Sequence, residues 1–302
     1  MARCNPIAFL AILIASLTGR LLSAITIDDF SAGTFSIEVL RYETESVTLT
    51  SLPPNSTLGG TRFVSLNGLG PTPQSSVRVG VDTASTEFHY DADPGATAAN
   101  FAVAYGWSTN LQANLLSDGS NALVFDFRFA DFEPGFGNFD ISVTTQPGRQ
   151  YLYVPVQNSA SPFSLVLPYR AFQKGSAGAN FANVSRIVLG TGNGNLRGDF
   201  ALTGIRTAFF PEGDFNFDGN VDGQDYSLWR SHVGSVNVSY PIDAADGNRD
   251  GRVDAADYVL WRRGATVGGG SLSSGVPEPT TLTMQLSIWL SITSVRRKRR
   301  FK

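Results

Sequence analysis

Between residues 25 and 210, apolar and polar side chains alternate in short runs separated by Gly, Pro, Asn and Asp. The clearest runs are 46–52 (SVTLTSL), 76–82 (SVRVGVD), 86–93 (TEFHYDAD), 100–107 (NFAVAYGW) and 122–130 (ALVFDFRFA). Further runs follow at 140–145, 150–156, 163–169, 185–191 and 200–210. A period of two turns one side of each run toward a core. Many short runs of this kind, without a helical period, predict a mainly β fold, an antiparallel β-sandwich or jelly roll. No amphipathic helix is expected in this stretch.

Near Pro211-Glu212-Gly213 the pattern changes and Asp becomes dense. Residues 214–225 read DFNFDGNVDGQD and residues 246–257 read DGNRDGRVDAAD. Oxygen-bearing side chains occupy positions 1, 3, 5, 9 and 12 of both copies. In the first these are Asp214, Asn216, Asp218, Asp222 and Asp225; in the second, Asp246, Asn248, Asp250, Asp254 and Asp257. Position 7, Asn220 or Arg252, needs only its backbone carbonyl, and Gly at position 6 allows the sharp turn between ligands. A hard cation takes roughly six to eight such oxygens, so two EF-hand-like loops and two calcium ions are expected. Val221 and Val253, at position 8, are expected to pair the loops.

Each loop leads into the same lettering, DYSLWR at 225–230 and DYVLWR at 257–262. Tyr and Trp three apart share a helical face, which predicts two short helices with a common core. A domain this small gains from bound metal the stability that its own core lacks. The two loops, each with Asp at position 12 and a helix after it, resemble the type I dockerin domain over residues 212–264. That resemblance implies calcium-dependent docking onto a cohesin on a scaffold or cell-surface protein. Two features depart from the family pattern. HVGSVNVSYPIDAA lengthens the repeat offset to 32 residues, and Gly223-Gln224 and Ala255-Ala256 stand where Ser/Thr pairs commonly contact cohesin.

The layout from Ile27-Asp28-Asp29-Phe30 to FALTGIR at 200–206 resembles a galactose-binding-like jelly roll. The resemblance implies that the first and last strands pair, and carbohydrate-binding modules are a common use of the fold. Asp28 and Asp199 are candidate ligands of a structural calcium near the joined ends. A sugar-binding surface stacks aromatic rings on pyranose faces and holds the hydroxyls with flanking polar groups. His89, Tyr90, Tyr105, Trp107, Tyr151 and Tyr153 are the candidates, with core packing or rim contact the alternative use of each.

Glycoside hydrolysis needs two carboxylates facing each other at roughly 5–9.5 Å. Asp126 with Arg128, or Glu87 with Asp91, are the nearest local candidates, and no G-x-S-x-G sequence occurs. A non-catalytic binding surface is therefore expected for residues 25–210. A glycoside hydrolase, or an accessory of polysaccharide catabolism, is the alternative.

The ends read as addresses. Residues 1–24 combine Arg3, the apolar stretch 6–17 and Leu22-Ser23-Ala24, the layout of a secretory signal peptide. A Gly/Ser-rich linker is expected over 265–275. Pro277-Glu278-Pro279 precedes 16 uncharged residues (280–295) and the basic run 296–300. This layout over 276–302 resembles the PEP-CTERM sorting signal, which implies processing by an exosortase, a transmembrane segment and an envelope or surface location. The net charge of −3 therefore averages unlike parts: residues 25–275 hold 15 basic and 25 acidic side chains, a net of −10. An acidic body excludes a generally basic nucleic-acid binder. The single cysteine, Cys4, lies in the leader and leaves no disulfide framework.

Overall fold

A computed structural model describes residues 24–40, 42–69, 76–92, 99–146, 148–172, 179–191, 196–236, 245–248 and 250–267. The chain divides into two units between Phe210 and Pro211. The signal peptide up to residue 23, the sorting motif Pro277-Glu278-Pro279 and the stretch 280–295 lie outside the described residues. Among the described residues no helix is long and apolar enough to cross a membrane.

Among the described residues, the first unit contains thirteen strands. They are β1 (Thr26–Asp28), β2 (Phe35–Val39), β3 (Thr44–Leu49), β4 (Arg62–Gly68), β5 (Val77–Asp82), β6 (Glu87–Ala92) and β7 (Ala99–Tyr105). There follow β8 (Ala122–Phe132), β9 (Asn138–Thr145), β10 (Arg149–Pro155), β11 (Phe163–Pro168), β12 (Val184–Gly190) and β13 (Gly198–Ala208). One sheet has the order β11-β8-β13-β6-β5-β2, with β1 added beside β13; the other runs β10-β9-β12-β7-β4-β3. All pairings are antiparallel, and the two sheets form the expected sandwich. Among the described residues of this unit, helical structure is confined to the 3₁₀ turns Leu58–Gly60 and Tyr169–Phe172.

The inward face of each strand supplies the core. Phe200 on β13 meets Phe88, Tyr90, Phe101, Phe127 and Phe139 at ring-centroid distances of 5.3–6.1 Å, so rings from both sheets interlock at one point. Strands β2 and β4 were not expected from the pattern. β4 alternates as regularly as its neighbours, but one of its inward positions is Arg62 and its outward ones include Ser65 and Asn67. A charge at a core position disguises the period.

Arg62 is fully buried because it has a buried partner. Its guanidinium grips Asp28 through Nε and Nη2, each at 2.6 Å, and donates further to the carbonyls of Ala32 and Gly33. The Tyr105 hydroxyl donates to the same carboxylate at 2.9 Å, as does the Phe30 N–H at 3.0 Å. Burial alone would lower the Arg62 pKa, but the hydrogen bond and charge of Asp28 hold it above its ordinary value. Burial beside Asp28 pushes the Tyr105 hydroxyl well up. The expectation that Asp28 binds calcium is thereby corrected: an arginine supplies the cation. Asp199 does not join this cluster; its carboxylate accepts the Ala92 N–H at 2.8 Å.

The second unit contains α1 (Gly223–His232) and α2 (Ala255–Val267). Asp222 caps α1: its side chain accepts the Gln224 N–H while Asp225 reaches back to the Asp222 N–H. Helix α2 reaches Val267, so the first three residues of the expected 265–275 linker are helical.

Candidate functional site

The two acidic loops fold alike. Asp225, at position 12, accepts the N–H groups of Phe215 and Asn216 on one oxygen and that of Asp222 on the other, at 2.7–3.1 Å. Asp257 does the same for Asn248 and Asp254, at 3.0 and 2.9 Å. Asp214 accepts the Gly219 N–H and Asp246 accepts the Gly251 N–H. Asn216 and Asn248 accept from Asp218 and Asp250, whose carboxylates accept from Asn220 and Arg252. Gly219 and Gly251 have φ of +90° and +85°, the left-handed turn that glycine adopts without cost.

Asp214, Asp225, Asp246 and Asp257 are buried. Burial, reinforced by the charges of Asp225 and Asp218, pushes the Asp214 carboxyl up to about 6 despite the Gly219 N–H. Asp225 is raised too, chiefly by burial. Asp218, exposed and bonded to the Asn220 N–H, is held below the usual range. Among the described residues no three carboxylate or imidazole side chains converge on one point. The donor set fits a hard cation, since each loop carries four carboxylates, one amide oxygen and a position-7 carbonyl around one glycine turn.

The helices lock the loops together. Trp261 Nε1 donates to the Asp222 carbonyl at 2.7 Å and Trp229 Nε1 donates to the Asp254 carbonyl at 2.9 Å, so each helix anchors position 9 of the other loop. Tyr226, Trp229, Tyr258 and Trp261 form the shared aromatic core, with centroids 5.0–6.2 Å apart. Val221 packs with Phe215, Trp261 and Ala265, while Val253 exchanges backbone bonds with Gly234 and Ser235.

The six aromatic candidates of the first unit separate. Tyr90 and Tyr105 are buried, Tyr90 against Phe200 and Tyr105 on Asp28, so neither presents a face to a sugar. His89 lies half-buried on the outer face of the larger sheet, Nε2 3.5 Å from Glu87. Trp107, Tyr151 and Tyr153 are 46%, 56% and 52% exposed beside the smaller sheet. Register places Tyr151, Ser142, Val188, Ala104 and Phe63 in one outward row across β10, β9, β12, β7 and β4. Four strand intervals make that row about 19 Å long. Ser142 and Ala104 in the middle of the row are fully buried, so its accessible groups are the tyrosines at one end and Trp107 over Phe63 at the other.

Phe63 stacks on Trp107 at 4.6 Å with 6° between the planes, and the Arg186 guanidinium lies 4.7 Å from the Trp107 centroid. These two contacts fix the orientation of the partly exposed indole. Phe63 and Arg186 were missed because their roles depend on strand register; the alternation around Phe63 was the available signal.

The carboxylates considered for hydrolysis are held in ion pairs. Asp126 binds Arg206 at 2.8 Å and accepts from Ser164, and Glu87 binds Arg128 at 2.8 and 3.0 Å.

Residues 212–263 match the family model of the dockerin type I domain. No match is found among curated proteins. Among solved structures, the chain is similar to BiXyn10A CBM1 in its apo form, with a TM-score of 0.30 and 8% identity, covering 61% of this chain and 98% of that one. CtCBM11 gives a TM-score of 0.30 and 13% identity over 64% of this chain and 99% of that one. An E78R mutant of a carbohydrate binding module of family 29 gives 0.26 and 12%, over 55% and 94%.

Proposed function

We propose that the chain is an exported, non-catalytic polysaccharide-binding component, tied by a calcium-loaded dockerin domain to a cohesin-bearing scaffold at the cell envelope. The observation that carries this reading is the doubled loop–helix unit, complete at every ligand position and cross-anchored by Trp229 and Trp261. Calcium, when bound, supplies the positive charge that the buried carboxylates lack. Asp214, Asn216, Asp218, Asp222 and Asp225, with the Asn220 carbonyl, would hold one ion; Asp246, Asn248, Asp250, Asp254 and Asp257, with the Arg252 carbonyl, the other. The capping bonds of Asp225 and Asp257 then connect loop order to helix order, which presents the helices to a partner.

For the sandwich, the exposed Tyr151 and Tyr153 support binding to a sugar chain. A glycan array probed with the whole chain tests this. Tyr151→Ala combined with Tyr153→Ala is expected to weaken the polysaccharide signal roughly tenfold, about 1.4 kcal/mol for lost ring contact. An unchanged signal would remove the tyrosine face from the reading. Reducing-sugar release abolished by one carboxylate substitution would overturn the non-catalytic half.

The address-like ends support export and sorting. Deleting residues 276–302 is expected to move the protein from the envelope fraction to the medium, measured by fractionation; an unchanged distribution refutes a sorting role.

A further inference from the structure

The opposite face of the sandwich has a row of its own. Register aligns Ser36 on β2, Gly80 on β5, His89 on β6, Ala201 on β13 and Phe129 on β8 across five neighbouring strands. Phe88, Tyr90, Phe200 and Leu202, on either side of His89 and Ala201, are buried, which places the row on the outside. It also spans about 19 Å. Gly80 keeps its floor low at the β5 end; Ala201 is fully buried under its neighbours, with His89 and Phe129 rising on either side of it.

Two clefts open along this line. One of about 470 Å³ is lined by Ser36, Gly80, His89, Arg78 and Asp91. The other, of about 630 Å³, is lined by Phe129, Arg128, Asp131, Asp199 and the segment 158–162. Asn158 fixes that last wall by bonding both the N–H and the carbonyl of Phe132, at 2.8 and 2.7 Å. The borders alternate acceptors and donors: Arg78 pairs with Asp91 and Glu38, and Arg128 with Glu87. Carboxylates outnumber guanidiniums along the line, because Asp82, Asp131 and Asp199 lie beside it as well. Such a surface repels polyanions, while its fixed donors and acceptors match vicinal hydroxyls.

We propose that this row is a second binding trough, selective for uncharged, hydroxyl-rich polysaccharide, so that one molecule holds two sugar chains on opposite faces and cross-links them. The proposal rests on the reading that the sandwich binds polysaccharide, and it assigns a separate surface to a second chain. Carboxylate oxygens accept from hydroxyls, the arginines donate, and the His89 and Phe129 rings pack against the apolar sugar faces.

Native mass spectrometry and titration calorimetry of the whole chain test it, with cellohexaose, xylohexaose and mannohexaose as neutral probes and hexagalacturonate as the charged one. Two equivalents of at least one neutral probe are expected, and no saturable binding of hexagalacturonate to this face. His89→Ala with Phe129→Ala should leave one equivalent and weaken the lost site at least tenfold, with unchanged circular dichroism. Ser36→Trp, which fills the floor at the edge strand, should do the same. Tyr151→Ala with Tyr153→Ala should remove the other equivalent. Binding lost with His89 and Phe129 but indifferent to the tyrosines would sink the tyrosine face and leave the trough standing. A single equivalent controlled by the tyrosines alone, no neutral binding, or a preference of this face for hexagalacturonate would overturn the trough.

Discussion

Replacing Arg62 by alanine is expected to cost the sandwich about 3–5 kcal/mol, the usual result of removing one partner from a buried ion pair. The Asp28 carboxylate would remain fully buried with hydroxyl and N–H donors but no counter-charge. The loss would not be confined to one contact. Arg62 comes from β4 in one sheet and Asp28 from β1 in the other, and Arg62 also fastens the turn at Ala32 and Gly33. Replacing the set by apolar residues of similar volume, with Arg62→Met, Asp28→Leu and Tyr105→Phe together, should recover much of the loss, because no buried charge then remains unpaired and only the Phe30 N–H and the Ala32 and Gly33 carbonyls lose a partner. Urea unfolding of the whole chain, followed by near-ultraviolet circular dichroism, measures both variants. An Arg62→Ala loss below about 1 kcal/mol would mean that water reaches Asp28 and that the cluster does not tie the sheets.

Removing calcium is expected to melt residues 212–264. At a hundredfold excess of free calcium over the dissociation constant, each bound ion adds about 2.7 kcal/mol, and the module's own core is small: four aromatic rings with Phe215, Val221, Leu228 and Ala265. Helix content by circular dichroism should fall on chelation and return on adding calcium. Equal helix content in both conditions would refute the calcium assignment. The pH dependences should have opposite signs. Asp214 has its pKa raised to about 6, so protonation stabilises the metal-free fold; that contribution is fully present below the ordinary carboxylate range and is lost as pH rises through about 6. Calcium needs the ionised form, so its affinity should decline as pH falls below about 6. Calorimetric titration at pH 7 and pH 5, beside thermal melts without metal, separates the two.

The loops and helices were legible residue by residue because their chemistry is local. Ligands, turn glycine and cap all lie within twelve positions of one another, and the DYSLWR and DYVLWR lettering carries the helical face with it. Most strands were legible from their period, whereas β4 was hidden by Arg62, whose burial makes sense only beside Asp28, 34 residues earlier. The same limit applied to the aromatics. Tyr90 and Tyr153 look alike in sequence, yet one stacks on its strand neighbour Phe200 inside the core and the other faces solvent on an edge strand.

By itself, then, the sequence determined the acidic duplicated loops, the helices that follow them, the alternating strands and the charged ends, since each depends on spacing within a few residues. Tertiary structure alone decided which rings are core and which are surface, that an arginine rather than a metal neutralises Asp28, and that two outward rows run across the strands on opposite faces. Those outcomes depend on register and sheet order, which bring together residues as distant as Phe63 and Tyr151 or Ser36 and Phe129, and no local pattern encodes such neighbours.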